Sequence, residues 1–201
     1  MRHLLRSLPV ALVLVASSAW ADYGSKPSMP APSRGAGDTP ASPTGAAQTP
    51  RQQADWYYRE AYDGVVKGSK DLQGGNAKGA EKKFRRALDR SHEAVALDST
   101  YAEAWNLIGF TSRKLGDYPH SFEAYRVALR IKPDFALAHE YYGEGLLETG
   151  DLAGARTQLA ALRRIDAESV GDVSLTNELQ ASIDRYVAAH PDSTASGAGS
   201  R

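Results

Sequence analysis

The chain contains no cysteine. Disulfides, thiol catalysis, Cys-ligated zinc and an N-terminal diacylglyceryl anchor are therefore excluded. It lacks a charge excess of either sign, because 24 Lys and Arg balance 24 Asp and Glu. Neither the basic surplus of a nucleic-acid partner nor the acidic surplus of a solvated tail is present. No useful length of sequence alternates apolar and polar residues, so strands are not expected. The apolar run Leu8 to Ala16, broken only by Pro9, falls short of the ~20 residues that span a bilayer. Catalytic signatures are missing as well: there is no HExxH, GxSxG, P-loop or dinucleotide fingerprint.

What is present is a 201-residue chain, 42% hydrophobic and 24% charged, long enough for one domain or a short repeat array. Residues 1–21 read as a secretory signal peptide. Arg2 and Arg6 form its positive start, the apolar run follows, and Ala19-Trp20-Ala21 offers small residues for cleavage after Ala21. Cleavage would remove two of the basic residues and none of the acidic ones, leaving a formal charge of −2. The expected location is the bacterial periplasm, with a fully extracellular one as the alternative. Residues 22–54 carry Pro27, Pro30, Pro32, Pro40, Pro43 and Pro50 among Ala, Ser, Gly and Thr, with few large apolar residues. Such a stretch cannot offset its ordering entropy and reads as a disordered linker, as does the tail 191–201.

Between these ends the pattern is helical. In Ala102–Asp134, Trp105, Ile108 and Gly109 lie on one face of a first helix. Gly116 breaks it, Asp117 caps the next, Ser121, Tyr125 and Ala128 recur at helical spacing, and Pro133 follows the end. A shift of 34 residues pairs Gly109 with Gly143, Gly116-Asp117 with Gly150-Asp151, and Ile131 with Ile165. Residues 102–135 and 136–169 are thus two copies of one hairpin. Gly109 and Gly143 imply close helix approach, since a mid-helix glycine costs ~1 kcal/mol against alanine. Thr100 and Glu103 have the spacing of a capping box.

Upstream, Gly75-Asn76, Ala80, Phe84 and Ala87 match the corner and second helix in a register offset by seven residues. Residues 55–101 are therefore expected to form a degenerate first copy. Its first helix is placed at about Ala54–Leu72, and its second, about Ala77–Leu97, carries two extra turns. Ser174–Ala189 is a further amphipathic helix with Leu175, Leu179, Ile183 and Tyr186 on one side, suited to capping an array.

This pattern resembles the tetratricopeptide repeat (TPR), whose period is ~34 residues, over roughly Trp56 to Tyr186. Gly143–Leu162 is similar to small secreted bacterial members of that family. The resemblance implies an all-α, right-handed superhelical array of antiparallel hairpins, with first helices lining a concave groove for a peptide or partner protein. It implies no cofactor, metal or catalysis.

The groove side would carry Glu103, Asn106, Phe110, Arg113 and Lys114 from one copy and Leu137, Glu140, Glu144, Leu147 and Glu148 from the next. Glu140, Glu144 and Glu148 share a helix face and repel one another modestly, with Arg113 and Lys114 able to face them. Two readings stand side by side. One is a mixed-charge groove that binds a partly basic segment around Phe110 and Leu147. The other is a solvated face with salt bridges worth ~0–1 kcal/mol each.

An enzyme on a helical scaffold is the alternative function. Against it, the glutamates read as an exposed face with nothing to raise a carboxyl pKa for acid–base work. His92, His120, His139 and His190 form no ligand pair, and His120 and His139 have structural places in a first turn and a packing position. The expected function is a non-catalytic interaction module of the cell envelope. No nucleic acid or membrane span is implied, and the oligomeric state stays open.

Overall fold

A computed structural model describes residues 49–168 and 174–191. The signal-peptide reading, most of the linker and all but Pro191 of the tail lie outside the described residues. Within these bounds the chain forms seven helices and no strand. They are α1 (Pro50–Gln73), α2 (Ala77–Leu97), α3 (Ala102–Lys114), α4 (Tyr118–Ile131), α5 (Ala136–Glu148), α6 (Leu152–Glu168) and α7 (Ser174–Ala189). Three antiparallel hairpins result, α1–α2, α3–α4 and α5–α6, with α7 packed on α5 and α6.

The same local device closes each hairpin. Gly75, Gly116 and Gly150 have φ of +79°, +81° and +86°, a left-handed turn that a Cβ would strain. The next residue is Asn76, Asp117 or Asp151, and its side-chain oxygen accepts from the backbone N–H three residues on, in Gly79, His120 and Gly154. That bond satisfies one of the orphan donors at the start of the returning helix. The corners therefore follow from local chemistry alone.

Helix α2 has 21 residues against 14 in α4, the seven-residue excess expected from the shifted register. Its partner is longer too. α1 starts at Pro50 rather than near Ala54, because Thr49 and Gln52 form a reciprocal capping box and proline suits the first helical position. The capping box expected of Thr100 and Glu103 is not formed. Thr100 turns back to Asp98, with its N–H and Oγ donating to Asp98 Oδ1 at 2.9 and 2.6 Å, and α3 begins after Tyr101 with no side-chain cap. Asp98 competes successfully for Thr100 because it lies two residues away, in the range of an Asx-type turn.

Aromatic rings carry the packing from one hairpin to the next. Phe84 of α2 meets Phe110 of α3 edge-on at 6.3 Å, and Phe110 meets Tyr141 of α5 at 5.0 Å. Tyr125 of α4 stacks on Tyr142 at 5.8 Å. Gly109 admits Tyr125: a Cβ there would sit 2.6 Å from the ring. The equivalent glycine has a different neighbour. A Cβ on Gly143 would strike Leu179 of α7, so the last hairpin uses its glycine to seat the terminal helix. His139 is fixed on both sides, its Nε2 donating to the Pro133 carbonyl at 3.0 Å and its Nδ1 lying 2.8 Å from the Gln158 amide oxygen.

Candidate functional site

Helices α3 and α5 sit in the middle of the bundle, and most of their residues are buried. A helix buried on several sides cannot keep all its polar residues at a solvated face. The charged residues of the two therefore meet one another. Arg113 is 0% exposed, and its Nη1 donates to Glu144 Oε2 at 2.9 Å and to Glu148 Oε1 at 3.4 Å. Its guanidinium carbon lies 5.7 Å from the ring centres of both Phe110 and Tyr141, within cation–π range. A glycine makes room for it. A Cβ on Gly145 would lie 2.9 Å from the Phe122 ring and 3.2 Å from Arg113 Cδ.

Burial works against the Arg113 cation, but the Glu148 and Glu144 carboxylates outweigh it and hold its pKa well above the ordinary value. Neighbouring Lys114, half-buried with its Nζ 5.4 Å from the Phe110 ring centre, is pushed down to about 8 by burial and by repulsion from Arg113. Tyr118 is pushed up to about 12 by burial and by the Glu148 carboxylate.

Glu140 is also 0% exposed. Burial, then the Glu144 charge, raises its pKa well above the carboxylate range, and the attraction of Arg113 does not cancel them. Neither Glu140 oxygen accepts a hydrogen bond among the described residues. Two neighbouring buried carboxylates repel each other, which favours the protonated form of Glu140. The cluster holds one guanidinium and three carboxyl groups, and burial opposes ionisation of Glu140.

Several polar atoms here lack partners among the described residues. Arg113 Nε and Nη2, the edge that grips a carboxylate side-on, have none, and the same holds for Asn106 Oδ1 and the Tyr125 hydroxyl. Each such buried atom costs ~1–3 kcal/mol relative to a satisfied one.

The expected groove residues are thus distributed unevenly. Arg113, Glu140, Glu144 and Glu148 come together, with Lys114 at their edge. Glu103 does not join them; it is half-buried and lies 3.6 Å from Lys132 Nζ. Phe110 and Leu147 are not open anchors. Phe110 is enclosed between Phe84 and Tyr141, and Leu147 belongs to a core with Leu146, Leu159 and Leu162. Leu137 and Asn106 are buried as well.

Glu140 and Glu144 are likewise not on an exposed face, and the raised pKa of Glu140 runs against the unperturbed carboxyl expected there. Sequence reasoning missed Tyr118, Tyr125, Tyr141 and Gly145 as members of this cluster. A second glycine in the middle of α5 was the available signal, since it needs a compensating contact.

Among the described residues no helix is long and apolar enough to cross a membrane. No protein-family model matches the chain, and no curated protein matches it.

Proposed function

We propose that the chain is a tetratricopeptide-repeat module that binds a peptide or partner protein and performs no catalysis. In this reading the three hairpins and α7 form a short right-handed superhelical array. A cleaved signal peptide exports it, and it serves as an adaptor or scaffold in the bacterial cell envelope. The recurrence of the Gly-Asp or Gly-Asn corner supports the family assignment, as does the seven-residue excess of α2. The charge order Arg2, Arg6, apolar run, Ala-Trp-Ala supports export.

The observation that carries binding is the polar seam between α3 and α5. An ordinary core excludes such groups or satisfies them fully. Here the side-on edge of Arg113 and the Asn106 carbonyl oxygen are buried with no partner among the described residues, so a partner's polar group reaches them only where the seam opens. With Phe110 and Leu147 enclosed, contact begins at the half-buried rim, Lys114 and Glu148, and a partly basic segment suits its acidic side.

Affinity capture from the envelope fraction tests this. Lys114→Glu should lose the proteins that the wild-type chain retains. Retention of the same proteins by that variant, with unchanged circular dichroism, would refute the seam as the binding face.

One observation favours a second reading, an enzyme on this scaffold: burial and the Glu144 charge raise the Glu140 pKa well above the carboxylate range, a kind of shift that active-site acids show. A broad hydrolase screen decides it. Turnover abolished by Glu140→Gln would replace the binding reading.

A further inference from the structure

We infer that the α6–α7 surface is a self-association face, on which a second copy of this chain docks about a twofold axis parallel to the two helices. A groove of about 480 Å³ runs between α6 and α7. Its floor is apolar, with Leu159, Ile183 and Val187. Its walls differ in sign: Arg156 and Arg163 stand on the α6 side and Asp184 on the α7 side. None of these three charges has an ion-pair partner among the described residues.

The levels of these charges along the helices favour a second copy over any other occupant. Arg163 Nη2 donates to Gln180 Oε1 at 2.7 Å and both line the groove beside Leu159 and Asp184, so the two positions stand at about the same level in the antiparallel pair. Asp184, four residues further along α7, is then level with Leu159 on α6. Leu159 lies between Arg156 and Arg163, ~4.5 Å from one and ~6 Å from the other along the axis. A twofold axis parallel to the helices preserves levels and sets α6 of one copy against α7 of the other. Each Asp184 therefore arrives between the partner's two arginines, within reach of both side chains.

The remaining outward positions do not obstruct this approach. Ala160 lies between the arginines, and Ala181 and Ala188 flank Asp184 on α7; all three are exposed and small. A rigid pair of helices 17 and 16 residues long offers about 500 Å² per copy, hence about 1,000 Å² in the dimer. That is the low end for specific interfaces, and it sets the expected dissociation constant in the micromolar range.

Sedimentation velocity of the purified protein from about 10 µM to about 500 µM reads the association directly. The expected result is a concentration-dependent shift from monomer to dimer that weakens with salt, because rim charges are screened. Asp184→Arg should weaken the dimer about tenfold or more, by setting a cation between two others. Adding Arg156→Glu and Arg163→Glu to Asp184→Arg should restore it, since the pairing is then reversed. All these positions are on the surface, and circular dichroism verifies folding. A monomer at the highest concentration overturns the inference. So does a dimer indifferent to Asp184→Arg, or one that the triple variant fails to restore.

Discussion

Replacing Arg113 with methionine tests the electrostatics of the α3–α5 seam. Methionine is unbranched and can occupy the space over Gly145 and beside the Phe110 and Tyr141 rings, so packing is largely conserved. What disappears is the one guanidinium 2.9 Å from Glu144 and 3.4 Å from Glu148. Leaving a buried charge uncompensated costs ~3–5 kcal/mol, a large part of the ~5–15 kcal/mol that stabilises a typical domain.

The pH dependence makes the prediction sharper. In the wild type Glu140 has a raised folded pKa, so it binds a proton in the folded state and none in the unfolded state above about 4.3. Its contribution is fully present below that value. Above it, stability falls by about 1.4 kcal/mol per pH unit until the folded pKa is passed. In Arg113→Met, Glu144 joins Glu140, and the slope approaches twice that, about 2.7 kcal/mol per unit.

Urea denaturation followed by circular dichroism at several pH values between 4 and 8 measures both quantities. The variant should be close to wild type at the acid end and most impaired at pH 8. A deficit below about 1 kcal/mol at pH 7, or one independent of pH, would refute the role assigned to Arg113.

Three further perturbations follow. Glu140→Gln should flatten the wild-type slope by about 1.4 kcal/mol per pH unit while leaving the protein folded at pH 7; an unchanged slope would locate the proton elsewhere. Gly109→Ala gains about 1 kcal/mol of helix propensity but drives a Cβ to 2.6 Å from the buried Tyr125 ring, for a net loss of about 1–3 kcal/mol in chemical denaturation. Thr49→Ala removes the capping box of α1, so amide exchange should accelerate in Arg51–Ala54 with little change in the global midpoint, whereas equal exchange in both proteins would mean that the cap is idle.

The parts of this fold legible in the sequence are those decided by near neighbours. Gly116 and Asp117 specify a corner whatever surrounds them, so the α3–α4 and α5–α6 hairpins and the shifted α2 could be read residue by residue. Pro50 shows the limit: in a proline-rich context it reads as linker, yet Thr49 and Gln52 make it the first residue of a helix. The seam was less legible because its character depends on burial. Glu140, Glu144 and Glu148 at four-residue spacing look the same in sequence on a wet face or inside a bundle. Periodicity cannot separate the two for α5, where apolar and polar residues are enclosed together. Phe110 and Leu147 look like open anchors for the same reason, as large apolar residues beside charged ones.

The Phe84–Phe110–Tyr141 chain of rings bears on how the molecule comes apart. In a strictly modular array each hairpin would melt almost on its own, its neighbours contributing only an interface. Here one phenyl ring is held in common by the first hairpin and the last, so loosening α2 strips support from Phe110 and, through it, from Tyr141. The three hairpins are thereby tied into a single cooperative unit. Heat or denaturant should take them apart in one transition, with the ends of α1 and α7 fraying ahead of it.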